Sequence, residues 1–158
     1  MPIYMNYNDL PGDVTAEGHE KWIELNSFQW GVGRGISSPT GASADRESSA
    51  PSVSEIVVTK ATDMASTKLL NEAYQGEGVT VKIDFCKTDK GKLEVYMTYT
   101  LDNTMISGYS LSSGGDRPTE SLSLNFTKIE FKSTGMDPTN ADASPETVTY
   151  NLATAKTE

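Results

Sequence analysis

The chain has 158 residues and a mass of 17.1 kDa, enough for one domain with a real core. Hydrophobic residues make up 36% and the formal net charge is −9, which excludes a nucleic-acid phosphate binder, since that needs clustered Lys and Arg. Cys86 is the single cysteine, so no intrachain disulfide can form, and its setting in Val81-Lys82-Ile83-Asp84-Phe85-Cys86 reads as an ordinary strand thiol.

The N-terminus, Met1-Pro2-Ile3-Tyr4-Met5-Asn6, has neither the basic nor the apolar region of a signal peptide. No stretch is long or apolar enough to span a bilayer, so no direct membrane insertion is expected. Assembly in the cytoplasm and any export without a cleaved signal follow as expectations. Ile3 to Tyr7 reads as a short strand, and Leu10-Pro11-Gly12-Asp13 as a turn. Lys21 to Gly31 reads as a long strand, with Ile23 and Leu25 on one parity and Trp22, Phe28 and Trp30 on the other. Either both faces are covered, or a bulge near Asn26-Ser27 resets the register.

Gly31 to Ser54 is rich in Gly, Ser and Pro, and only Ile36 could enter a core. A loop of this length inside a compact domain is generally functional or disordered, and Asp45-Arg46-Glu47 offers it specific charged contacts. Val53 to Thr59 is a β-branched strand. A helix over about 63–75 follows, with Asp63 as N-cap, Ser66 as its rival, and an apolar stripe of Leu69, Leu70, Ala73 and Tyr74. Gly76 ends it.

Strands then return in quick order. Val79 to Lys87 and Lys92 to Leu101 are joined by a hairpin turn at Thr88-Asp89-Lys90-Gly91. Asp102-Asn103 marks a further turn before Thr104 to Ser113. Glu120 to Ser133 reads as one long strand whose apolar face switches near Thr127. Thr134 to Glu146 is a polar connector, Thr147 to Leu152 a last strand, and Ala153 to Glu158 a polar tail. Many short strands with one helix predict a mainly β sandwich or barrel in a single domain, 1–158.

Catalytic chemistry finds little support. His19 is the only histidine and reads as a surface or turn-capping residue, without the ligand spacing of a zinc site or a Gly-x-Ser-x-Gly elbow. Gly31-Val32-Gly33-Arg34-Gly35 lacks the Gly-Lys-Ser/Thr end of a phosphate loop. Asp84, Asp89 and Glu94 read as solvated carboxylates beside a turn. No catalytic residue, metal site or cofactor is expected. The most specific segment is Gly114-Gly115-Asp116-Arg117-Pro118-Thr119-Glu120, either a charged corner at a strand entry or an ion-pair clamp to a neighbouring subunit.

Three stretches together resemble the Hcp (hemolysin-coregulated protein) family of type VI secretion. They are His19-x-x-Trp22-Ile23-Glu24-x-x-Ser27-Phe28-x-Trp30-Gly31, then Thr59-Lys60-x-x-Asp63 with Leu69 and Gly76, then Ser107 to Phe126. The sequence departs from the family in lacking an aromatic near Lys132 and near Asn151. The resemblance implies a split β-barrel with one helix. It implies a structural subunit, not an enzyme, forming hexameric rings that stack into the expelled inner tube. Implied partners are further copies of the chain, the contractile sheath and spike proteins, and small effectors in the lumen. The chain would be secreted to the extracellular space or a target cell. The loop of about 35–52 would reach adjacent rings through Ser37, Ser38, Thr40, Asp45, Arg46 and Glu47. Trp30, Asp116, Arg117 and Glu120 become candidate subunit contacts, and Gln29 a candidate lumen-facing residue.

Two other readings compete. A monomeric β-sandwich binding module would use Trp22 and Tyr96 as ligand platforms. A toxic effector would need an extra catalytic domain, and none is expected because the chain ends soon after the last strand.

Overall fold

The computed structural model describes residues 1–37, 41, 48–136 and 142–158, and of 135, 136 and 142–144 the backbone only. The strands are β1 (Ile3–Tyr7), β2 (Ile23–Leu25), β3 (Ser27–Gln29), β4 (Val32–Gly33), β5 (Ser52–Val53) and β6 (Ile56–Ala61). The helix α1 (Ser66–Gln75) follows. Then come β7 (Val79–Asp89), β8 (Lys92–Ser112), β9 (Thr119–Asn125), β10 (Lys128–Met136), β11 (Asp142–Asn151) and β12 (Lys156–Thr157). One sheet runs β12-β11-β10-β8-β7-β1-β2, and the second pairs β3 with β6, β6 with β9 and β9 with β8. The long strand β8 belongs to both, so the two sheets form a split barrel sharing one wall. All partners among these pairs are antiparallel.

The two apolar parity switches in the sequence are places where the chain changes sheet. At Asn26 it leaves the first sheet after Leu25 and enters the second at Ser27, and the Asn26 N–H donates to the Thr59 carbonyl at 2.7 Å. Ile23 and Leu25 are buried while Glu24 is exposed, as alternation requires. The expected single strand of 120–133 breaks in the same way at Phe126-Thr127, into β9 on one sheet and β10 on the other. Conversely, the expected turn at Asp102-Asn103 is a corner inside one continuous strand. Residues Lys92 to Thr104 of β8 pair with β7, and Met105 to Ser112 pair with β9. Asn103 takes the corner with φ 52°, a conformation that Asn tolerates better than most residues. Gly78 packs against this corner so closely that a Cβ would lie 1.7 Å from Asn103 Oδ1.

The helix starts three residues later than expected. Asp63 lies outside it, and its Oδ1 accepts the Ala65 N–H at 2.9 Å. Leu69 is buried, but Tyr74 is 81% exposed and leaves the apolar stripe. Gly76 does close the helix, its N–H donating to the Glu72 carbonyl at 2.8 Å, with extended rather than left-handed backbone. The long Gly/Ser loop is a ribbon at its base: Val32 pairs with Val53, Gly33 with Ser52 and Ile36 with Ser48. Ile36 stays exposed. The expected connector of 134–146 is largely strand, since β10 runs to Met136 and β11 begins at Asp142. The polar tail forms β12, and Lys128 Nζ meets Glu158 at 2.8 Å.

The core lies between the sheets and under α1. Met5, Ile23, Ile56, Val58, Leu69, Ile83, Leu101, Leu122 and Leu124 are all fully buried. At about 1.5–3 kcal/mol for each large side chain buried, this cluster is the main stabilising term.

Candidate assembly surfaces and the buried polar clusters

Lys60 ends the inward parity of β6 after Ile56 and Val58, and Glu120 begins that of β9 before Leu122 and Leu124. The register sets Lys60 directly opposite Glu120. Both are 0% exposed, and Lys60 Nζ donates to Glu120 Oε2 at 2.5 Å. The ammonium also reaches the Ala61 carbonyl and Asp63 Oδ1, each at 2.9 Å, and Ser66 Oγ at 3.2 Å. Ser66 Oγ donates to Glu120 Oε2 at 2.7 Å, and the Tyr109 hydroxyl donates to Glu120 Oε1. Burial by itself pushes the Glu120 carboxyl up. The hydrogen bonds from Lys60, Tyr109 and Ser66 and the Lys60 charge outweigh it and hold the carboxyl below its ordinary value. Tyr109 is pushed up to about 12, by burial first and then by its bond to Glu120.

A second buried pair sits on the other sheet. His19 Nε2 lies 2.8 Å from Asp84 Oδ2, and Thr98 Oγ1 donates to Asp84 Oδ1 at 2.9 Å. The imidazole packs against Tyr4 and edge-on against Trp22 at 4.6 Å. Contrary to expectation, His19 is no surface residue and Asp84 no solvated turn carboxylate, for the loop before β2 folds over β7 and covers both. Cys86 stands in a strand, β7, as expected; it is buried, and burial followed by the Asp84 charge pushes its thiol up to about 11.

The expected contact residues fall in different places. Glu120 is spent inside the subunit: its carboxylate has no exposed surface to offer a neighbour, which corrects its expected place at a subunit contact. Arg117 and Asp116 are exposed. Arg117 donates through Nε to the Thr62 carbonyl at 2.7 Å, while Asp13 Oδ2 stands 3.7 Å away. The Gly114–Glu120 segment is therefore a charged corner at a strand entry, with the Thr62 N–H also donating to the Pro118 carbonyl at 3.0 Å. Gln29 is exposed at the end of β3, opposite Val57. Of the loop residues, Ser37 follows Ile36 in the ribbon, whereas Ser38, Thr40, Asp45, Arg46 and Glu47 lie outside the described residues.

Trp30 sits half-buried and edge-on to Tyr99 at 5.7 Å. It lines an open depression of about 300 Å³ with Tyr99, Ile129, Phe131, Val148 and Tyr150. These strand residues continue the inward parity of the first sheet beyond the reach of the second, so the barrel stands open there. Tyr99, Phe131 and Val148 form one cross-strand row. Val148 is 58% exposed, and among the described residues the Trp30 Nε1–H has no acceptor. Beside the depression, β12 covers only Tyr150 and Asn151 of β11. The aromatics expected near Lys132 and Asn151 are supplied one position away, by Phe131 stacked on Tyr99 at 4.9 Å and by Tyr150. The ligand platform proposed for a binding module is absent as a pair: Trp22 packs on His19, and Tyr96 lies near Phe85.

The family model described as "Type VI secretion system effector, Hcp" matches residues 4–132. The chain belongs to the Hcp family. It is thereby a secreted, β-rich tube protein of type VI secretion. Among solved structures, one titled as a type six secretion system protein matches with 26% identity and a TM-score of 0.90, covering 99% of both chains. Hcp1 from Salmonella typhimurium matches at 18% identity and 0.76, covering 99% of this chain and 98% of that one. A type VI secretion system effector from Yersinia pestis matches at 18% and 0.73, covering 94% and 98%. The last two share the fold. No curated protein matches the chain. Among the described residues, no helix of this Hcp protein is long and apolar enough to cross a membrane, and no group of three His, Cys, Asp or Glu is placed to hold a metal.

Proposed function

We propose that this Hcp protein is a ring-forming subunit of the secretion tube, without catalytic activity, whose hexamers stack into the expelled inner tube and carry small effectors in the lumen. The observation that carries the reading, within an Hcp fold, is the unfinished side of the barrel. An isolated subunit would hide Val148; a subunit completed by another copy leaves it open. A ring buries two different patches per subunit, head to tail. Trp30 belongs to one such patch in this reading, and Asp116 with Arg117 to the exposed charged rim of a contact.

The loop of about 35–52, carried on the ribbon at its base, would reach the adjacent ring through Ser37, Ser38, Thr40, Asp45, Arg46 and Glu47. Its exposed Val32 and Ile36 favour that role, since a short ribbon with two apolar side chains has little reason to stand in solvent alone. Gln29 would face the lumen. Sheath and spike proteins are the remaining partners, and export proceeds from the cytoplasm. Light scattering and negative-stain imaging of the purified protein test the reading. Six copies of 17.1 kDa give about 103 kDa, and rings on the grid are expected. A 17.1 kDa monomer at high concentration would refute it.

A further inference from the structure

The helix α1 is held to the barrel by little apolar surface. Only Ser66 and Leu69 within it are buried, no side chain caps its first turn, and its first turn carries no acid. A ten-residue helix of this kind is marginal alone and depends on tertiary contacts for its placement. Leu69, with Ala73 partly buried beside it, is a small apolar anchor, and apolar contact is non-directional. The Lys60–Glu120 cluster is directional. It joins β6 through Lys60, the β6–α1 junction through Asp63, α1 through Ser66, β8 through Tyr109 and β9 through Glu120. One position of the helix satisfies all of these bonds together.

A buried ion pair is a weak source of stability, because desolvation offsets most of its attraction, and an apolar replacement of similar volume is often neutral or better. We propose that Lys60, Glu120 and Ser66 are positioning residues, a registry device that fixes α1 in one place on the barrel so that the subunit can assemble. The helix so held presents Tyr74, and the turn before it Met64, both mostly exposed. The assembly half of this inference rests on the ring-forming reading above; the registry half does not.

The triple variant K60M/E120L/Y109F removes the Lys60–Glu120 pair together with the phenol and leaves Asp63 with the Ala65 N–H as its partner. Thermal melting within a few degrees of the wild type is expected. Hydrogen exchange of the Leu69–Tyr74 amides should accelerate about tenfold or more. Ring formation by light scattering should need a concentration about tenfold higher or more. Unchanged exchange in α1 overturns the proposal whatever the rings do. Accelerated exchange with rings at the wild-type concentration overturns the assembly role. A monomeric wild type refutes the ring-forming reading alone, and exchange still decides the registry claim. S66A, which removes only the helix's own hydroxyl, gives the same exchange test if the triple variant does not fold.

Discussion

Glu120→Gln is the most informative single substitution. It keeps the shape of the side chain and removes the charge, so the buried Lys60 ammonium loses its closest partner, at 2.5 Å. Breaking one side of a buried pair costs about 3–5 kcal/mol. Asp63 Oδ1 and the Ala61 carbonyl still solvate the ammonium at 2.9 Å, which places the loss at the lower end, about 3 kcal/mol. For a chain of this length, that shifts the melting midpoint down by about 6–12 °C. The loss should also depend on pH. The folded Glu120 carboxyl lies below its ordinary value, so its stabilisation is present above the unfolded carboxyl range near about 4.3 and disappears as pH falls through the folded value. Wild type and E120Q should therefore converge as acid is added below about pH 4. Urea titrations followed by circular dichroism, repeated from neutral pH downward, measure this directly. A loss under about 1 kcal/mol at neutral pH, or a gap that stays constant into acid, would refute the account of the pair.

Leu69→Ala removes the only fully buried apolar side chain within α1 and should cost about 2–5 kcal/mol, read as a lower urea midpoint. Gly78→Ala places a methyl group on Asn103 Oδ1 and should destabilise by about 1–3 kcal/mol. Asn103→Gly, which tolerates the left-handed corner and removes the clashing amide, should restore most of that loss in the double variant. His19→Ala strands the buried Asp84 carboxylate with only Thr98 as a side-chain partner, and about 2–3 kcal/mol should be lost in the same titration. Val148→Lys should leave the melt nearly unchanged, because the position is already mostly exposed, while the light-scattering mass falls from ring to monomer.

The sheet-to-sheet crossings were legible as apolar parity switches at Asn26-Ser27 and Thr127. The corner at Asn103 was not, because an Asp-Asn pair in a polar context looks the same whether the chain reverses or merely bends. What separates the two is the pairing of β8 with β7 and β10 on one half and β9 on the other, which no local pattern encodes. Glu120 could have been placed correctly. Carried two residues back, the Leu124, Leu122 parity puts Glu120 inside, and carried two residues forward, the Ile56, Val58 parity puts Lys60 inside. Two opposite charges on inward parities of different strands signal a buried pair. His19 and Asp84 gave no such signal. They lie 65 residues apart, one in an aperiodic loop, and Asp84 is on the outward parity of β7 until that loop folds across it.

The three stretches that resemble Hcp proteins meet one another inside the subunit. Lys60 from the second donates to Glu120 from the third, which also accepts from Tyr109, and Ser27 from the first shares a hydroxyl hydrogen bond with Thr59 from the second at 2.6 Å. These residues set the positions of α1 and of the Gly114–Pro118 corner, and none of them needs a partner chain to do so. In the proposed ring, contact chemistry would come instead from exposed residues such as Val148, which no buried pair holds in place. An interface exchange is the decisive case: exposed residues such as Val148 should be replaceable with little effect on the melt, whereas Lys60 and Glu120 should tolerate only changes made together.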